Sequence, residues 1–451
     1  MKKYAFIGHA VFLYLIILSA LYYQERAIFL DTALHSFQLI NSESPFFVGR
    51  ITSIIPMILP WIAIALKLKL STILFLYSIS FTLLFYSIFI LITHYFKNYT
   101  NSLILILCTI LCMRESFYYA VTEVHQLIGY SILFFTVLQV QERLSKNLKY
   151  ILEFLLIILI FLCHPYGIFT VSFILIFHYL ENKNIRHFIV LFGLAAVMFL
   201  AKDIFFVDVI EKEKLGFAFS FWSDIPHFFE LPVTQFIINH SGKFTFNYLP
   251  FCFIFIASLF MSLVQRKVLQ ASLILIFTFF FIALNNSVMA DGESGIVLEK
   301  TTLTLTIFCV IPLIYSLKNA KKLENITAFV LMIIIIGIKT RDISLAIKPF
   351  EKRLNYISEL IEESKEKEIL NRIMKCESIN QDIIKIPWAL PIETLLKSSL
   401  DEKEAVTIVT NIKVMDVNSE QFLIIDDKTK IPREILNQSY FKLSNEKYRT
   451  D

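Results

Sequence analysis

Charge is what this chain has little of. Asp, Glu, Lys and Arg make up 18% of its 451 residues, and hydrophobic residues 56%. A water-soluble domain carries about 25% charge, so the shortage excludes an ordinary soluble globule for most of the length. The basic residues are scattered among apolar runs and the net charge is only +4. No basic stripe remains for nucleic acid. The six cysteines show no CxxC or Cys/His spacing, so no metal site is expected from them. Cys108 and Cys112 fall on one helix face as small apolar residues, and Cys376 stands alone in the tail. No GxxxxGK[ST] loop is present, which leaves ATP-driven transport without sequence support. No long apolar run hides a central carboxylate or arginine of the kind ion-coupled transporters use. The start, Met1-Lys2-Lys3 and an apolar run, lacks a small-x-small cleavage signal. Leu21-Tyr22-Tyr23 are bulky, so an uncleaved first helix is expected. No internal repeat or low-complexity segment stands out.

What the chain does have is apolar runs. They lie at about 4–23, 51–66, 70–96, 101–113, 128–141, 150–163, 166–180, 187–206, 248–264, 270–285, 302–317 and 324–338. Hydrocarbon cannot satisfy exposed backbone, so runs of this kind are read as membrane helices. The basic connectors are Lys2-Lys3, Arg143 to Lys149, Lys183 to Arg186, Arg266-Lys267 and Lys318 to Lys322. By the positive-inside rule these face the cytoplasm. If all twelve runs crossed, Arg143 to Lys149 would fall outside. One early run must therefore not cross. The run 51–66 holds Pro56 and Pro60 and ends in Leu66-Lys67-Leu68-Lys69, an ending suited to the interface. The alternative is that 101–113 is re-entrant and 51–66 spans.

The expectation is an all-α polytopic protein of the cytoplasmic (inner) membrane with about eleven transmembrane helices. Residues 1–338 form its membrane domain, with interfacial helices in the first outer loop. Residues 339–451 form a small extracytoplasmic α/β domain, and the N-terminus is cytoplasmic. In that domain, 350–378 has the Ile/Leu spacing of amphipathic helix. Strand-like pieces follow at 405–410, 422–425 and 440–443.

This topology gathers Glu25, Asp31, His35, Glu115, Glu123, His125 and His164 on the outer face. Asp31 is the candidate catalytic residue. In Ile28 to Ile40 the apolar residues follow a helical stripe, and Asp31 and His35 share another face at i,i+4. A carboxylate there suits a general base for an acceptor hydroxyl; a charge favoured by the helix dipole is the plainer reading. Glu123 and His125 precede a helix and are candidates to bind sugar hydroxyls, or are solvated loop residues. His164-Pro165-Tyr166-Gly167 reads as a tight outer turn whose imidazole sits within reach of substrate. Arg50, just before the 51–66 run, suits phosphate binding or headgroup anchoring. Glu293 and Glu299 are expected in a solvated polar loop, with a lid over substrate as the other reading. Lys202 and Asp203 are expected as a local ion pair.

With these residues in this order, the chain resembles the GT-C superfamily of membrane glycosyltransferases. The likeness is to the bacterial mannosyl- and aminoarabinose-transferase branch. It rests on the first helix, the acidic outer loop (Asp31), the arginine at an interfacial segment (Arg50), a second acidic segment (Glu123) and the His164 turn, mainly within residues 1–210. Many members pair two acids in the first loop, whereas Asp31 here has Leu30 and Thr32 as neighbours. The resemblance implies a polyprenyl-phosphate sugar as donor, a glycan or lipid acceptor, and transfer with inversion. It implies Asp31 as base, with His35, Arg50, Glu123, His125 and His164 binding substrate. A transporter or flippase of lipid-linked glycan, and a catalytically inactive relative, are the competing readings.

Overall fold

The computed structural model describes residues 2–41, 52, 54–121, 123–140, 143–205, 212–213, 216, 220–243, 247–290, 292–323, 325–401, 404–410, 421–425, 429–444 and 446–450. Helices dominate. The α-helices of five residues or more are, in chain order, α1 (Lys2–Leu21), α2 (Tyr23–Ala27), α3 (Leu30–Ile40), α4 (Ile54–Ala65), α5 (Leu70–Ile90), α6 (Tyr99–Ile110), α7 (Glu123–Gln139), α8 (Lys146–Cys163), α9 (Gly167–Asn182) and α10 (Ile185–Phe205). They continue with α11 (Pro232–Ile238), α12 (Leu249–Val264), α13 (Val268–Val288), α14 (Gly295–Leu303), α15 (Leu305–Asn319), α16 (Ile326–Leu345), α17 (Lys348–Glu366) and α18 (Leu390–Ser399).

Among the described residues, five stretches are long and apolar enough to cross a membrane: Lys2–Leu21, Leu70–Tyr95, Ile185–Phe205, Val268–Val288 and Gly295–Asn319. Their exposed residues are greasy. Ile189, Val190 and Val197 on α10 are each more than half exposed, as are Phe6 on α1 and Leu269 on α13. Such a perimeter suits lipid and not water. The two runs that competed for the non-crossing role form α4 and α6, each of 12 residues. That is about 18 Å of helix against a hydrocarbon core of about 30 Å, so length alone does not choose between them. They differ in setting. Every residue of α6 from Thr100 to Ile110 is buried, whereas α4 contains Pro60 and leaves Ile58 and Ile62 about half exposed.

The core of the bundle is α6 wrapped by α1, α7 and α15. Close approach depends on Gly8 in α1. A Cβ there would fall 2.8 Å from Ile106 Cδ1 and closer still to Phe89 Cζ. Small residues permit such backbone approach in membrane bundles. Gly8→Val is therefore expected to destabilise the bundle by about 1–3 kcal/mol, the usual cost of overpacking. Thermal unfolding in detergent measures it; a change below about 0.5 kcal/mol would mean that Phe89 swings aside freely.

The tail forms the small α/β unit expected. Strand β1 (Asn371–Met374) lies between β2 (Thr407–Thr410) and β5 (Arg449–Thr450), parallel to both, with Asn371 opposite Thr407 and Arg372 opposite Arg449. A separate antiparallel pair joins β3 (Phe422–Ile424) and β4 (Lys430–Pro432). The piece expected as strand at 440–443 is a turn followed by one isolated bridge, Ala405 to Leu443. Helix α17 buries Leu354, Ile357 and Ile361 as the spacing implies, but the helical expectation for 350–378 fails beyond Glu366, where Asn371–Met374 pairs as strand β1 and takes Ile373 into the sheet. Helix α18 covers β2, with Thr394 Oγ1 accepting from Ile408 N at 3.1 Å. The unit packs on the first loop. Phe37 of α3 and Phe441 have ring centroids 5.6 Å apart, and Asn437 N donates to Asn41 Oδ1 at 2.7 Å.

Candidate functional site

Leaving α1, the chain makes the short α2 and then turns sharply into α3. Leu30 sits at φ 45°, a left-handed conformation uncommon for a non-glycine residue. Its N–H donates to Glu393 Oε1 of the tail at 2.8 Å. Asp31 follows, in the first turn of α3, where the helix dipole favours a carboxylate. It is half-buried. Its Oδ2 accepts the hydroxyl of Tyr119. Phe29 packs edge-on against that same ring at 5.9 Å, and the ammonium of Lys300 lies 3.7 Å from the ring centroid. Burial and the adjacent Asp31 charge push the Tyr119 hydroxyl well above its usual range. It therefore stays protonated and donates. One carboxylate oxygen is thus oriented by Tyr119.

The loop carrying Tyr119 is held from the other side. Glu299 on α14 is 3% exposed. Its carboxylate accepts the backbone N–H groups of Arg114 (2.6 Å), Glu115 (3.1 Å) and Ser116 (2.8 Å), and the Ser116 hydroxyl (2.6 Å). This corrects the expectation of a solvated loop at Glu299: residues Gly295–Leu303 are helical and the acid is a clamp. The expectation failed because the four donors come from a segment more than 180 residues earlier.

A second basic group lies beneath. Arg26 of α2 is 2% exposed. Its Nε donates to Ser78 Oγ at 2.9 Å, its Nη2 to Ser78 O at 3.3 Å, and its Nη1 to Phe117 O. The guanidinium also stacks 4.2 Å from the Phe117 ring. Burial lowers its pKa to about 9, so it remains charged at neutral pH. The signal that points to it is local: it stands at the start of the polar stretch that follows the first apolar run.

Arg26, His125, Ser116 and Tyr119 line a cavity of about 20 Å³. That holds about one water and not a sugar ring. Asp31 itself is not in its wall, so a substrate must reach Asp31 from its exposed side.

The remaining expected residues fall as follows. Glu123 opens α7 and is 4% exposed; its charge and that of Asp31 both bear on Tyr119. His125 is 3% exposed, and neither ring nitrogen has a hydrogen-bond partner among the described residues. His35 is buried one turn beyond Asp31. His164 is half-buried at the end of α8, its Nδ1 accepting from Tyr166 N at 3.2 Å. It is tied to the cluster through its neighbour: Cys163 Sγ donates to Glu123 O at 3.1 Å. Arg50 lies outside the described residues. Lys202, expected to pair locally with Asp203, is buried, whereas Asp203 is exposed. Among the described residues, no three His, Cys, Asp or Glu side chains gather as a metal site would require.

Comparison with known proteins gives no relative: no family model, no curated protein and no solved structure matches the chain.

Proposed function

We propose that the protein is a membrane glycosyltransferase of GT-C type. It takes a sugar from a polyprenyl-phosphate carrier at the outer face of the cytoplasmic membrane and passes it to a glycan or lipid acceptor. In this reading the chain crosses the bilayer about eleven times, with its N-terminus in the cytoplasm and its tail outside. The observation that carries it is the half-exposed Asp31, oriented by Tyr119 at one end of an apolar bundle with Lys300 and Arg26 nearby.

The chemistry follows from those groups. Asp31 takes the proton from the acceptor hydroxyl as its oxygen attacks the anomeric carbon. The bond from that carbon to the carrier phosphate breaks, and its electron pair leaves with the phosphate. Attack opposite the leaving group inverts the anomeric centre. The guanidinium of Arg26 is already bonded at three nitrogens, so it contributes field and not a clamp. His35, Glu123, His125, His164 and Arg50 are the residues proposed to contact sugar or phosphate.

The test is reconstitution of the full chain in liposomes with a polyprenyl-phosphate sugar and a soluble glycan acceptor. A new glycosidic bond supports the reading. Movement of the carrier across the bilayer without transfer would establish a flippase instead. Orientation is read separately. Lys375→Cys, exposed beside β1, in a Cys376→Ser background, is expected to react with an impermeant thiol reagent on intact spheroplasts. Labelling only after lysis would reverse the topology.

A further inference from the structure

The end of the bundle away from Asp31 holds a larger and more polar hollow. Helix α7 runs from Glu123 beside Tyr119 to Gln139, about 25 Å. Likewise the stretch Gly295–Asn319 begins just before Lys300 and ends beyond Lys318. At those far ends Gln139, His178, Glu181, Asn182, Tyr315 and Lys318 line a cleft of about 210 Å³, ten times the volume of the cavity beside His125.

Two of its donors, Lys318 Nζ and the Gln139 amide nitrogen, have no acceptor among the described residues, whereas its one carboxylate is engaged. Glu181 is spent: Oε1 accepts from Lys267 Nζ at 2.5 Å and from Gln270, and Oε2 from Asn319 Nδ2 at 3.3 Å. Carbonyls at the surrounding helix ends are spent as well. Leu138 O accepts from Lys149 Nζ at 2.8 Å, Tyr179 O from Lys183 N at 2.8 Å, and Ser316 O from Gln265 Nε2 at 2.8 Å. By contrast, Gln139 Oε1 accepts from Asn98, Asn101 and Tyr315, which fixes the amide and leaves its Nε2 free to donate. Lys318 rests 5.3 Å from the Tyr315 ring and has no carboxylate partner among the described residues. The surroundings are basic too. Lys146, Lys149, Lys183, Arg186, Arg266, Lys267, Lys321 and Lys322 stand at this end, against Glu153 and Glu181 among the described acids. A ligand that takes up both free donors in these basic surroundings is rich in acceptors and negative.

We propose that this cleft binds a phosphate group at the basic end of the bundle, through Lys318 and the Gln139 amide. Two sources offer that chemistry: the headgroup of an anionic phospholipid in the adjoining leaflet, or a soluble phosphate ester. The proposal stands whether or not the protein transfers sugar, because it uses no residue of the Asp31 cluster.

The test uses the full chain in phosphate-free detergent. Glycerol 1-phosphate is titrated by calorimetry. In parallel, nanodiscs of phosphatidylcholine with and without phosphatidylglycerol are compared by native mass spectrometry for retained lipid. Variants are Lys318→Gln and, as a control for bulk charge, Lys322→Ala. Saturable binding of glycerol 1-phosphate would assign a soluble ester. Selective retention of phosphatidylglycerol alone would assign the headgroup. In either case Lys318→Gln is expected to weaken binding at least about tenfold, with Lys322→Ala near wild type. Gln139→Leu, which removes the amide donor, is expected to weaken it as well. No binding in either arm, or equal loss in Lys318→Gln and Lys322→Ala, overturns the proposal.

Discussion

Asp31→Asn is expected to lower sugar transfer by about 10²–10⁴-fold, the usual loss when a general base is removed. The fall should lie in kcat, with KM little changed, because the lost interaction develops in the transition state. The fold should survive. Asparagine has the same shape, its Oδ1 still accepts the Tyr119 hydroxyl, and Asp31 is only half-buried. The loss of a first-turn carboxylate costs about 0.3–1 kcal/mol of helix-dipole stabilisation. Unfolding in detergent therefore separates the two effects. A near-native melting temperature with abolished transfer fits a base. Unchanged transfer would remove Asp31 from the chemistry. Tyr119→Phe is the companion variant. It deletes the donor that orients one carboxylate oxygen and should reduce transfer less than Asp31→Asn does, since the base itself remains.

Much of the bundle was legible from hydrophobicity alone. The runs near 4–23, 70–96 and 187–206 became α1, α5 and α10 because apolar length is a local property and backbone in hydrocarbon must close its own hydrogen bonds. Asp31 was legible for a similar reason, as an acid off the apolar helical stripe of a short polar insert. Its partners were not. Tyr119 lies 88 residues away and Lys300 lies on a third element. Nothing in the local sequence marks either as a neighbour of Asp31. Glu299 misled for a definite cause. A polar window beside glycines reads as loop, and only the tertiary arrangement supplies the four donors that bury it. The burial of Arg26 depends on Ser78 of α5 and Phe117 of the later loop, neither of which its local sequence marks. The contact of greatest sequence separation at the site, Leu30 to Glu393, is 363 residues long. Glu393 stands in the first turn of α18, after Pro391, and nothing in the local sequence ties it to Leu30.

That contact carries the other large expectation: Glu393→Ala should destabilise the joint between tail and membrane part by about 3–5 kcal/mol. Glu393 is fully buried and Arg353 is 4% exposed. Arg353 Nη2 reaches Glu393 Oε2 at 2.7 Å, and its Nε lies 3.2 Å from both carboxylate oxygens. Alanine leaves the guanidinium buried beside Phe29 with no counter-charge, and leaves the Leu30 N–H without its acceptor. Leu30 then holds a left-handed conformation costing about 1–3 kcal/mol with less to enforce it. The turn that positions Asp31 should relax, so transfer should fall even at temperatures where the tail stays folded. Replacing both partners, Arg353→Met with Glu393→Leu, removes the uncompensated charge and should recover much of the stability. It cannot restore the Leu30 acceptor, so its transfer activity should remain low. Melting in detergent, protease sensitivity near residues 345–348 and the transfer rate together decide the matter. If the double variant regains both stability and activity, the tail merely braces the bundle. If Glu393→Ala melts within about 0.5 kcal/mol of wild type, the buried pair does not hold the joint at all.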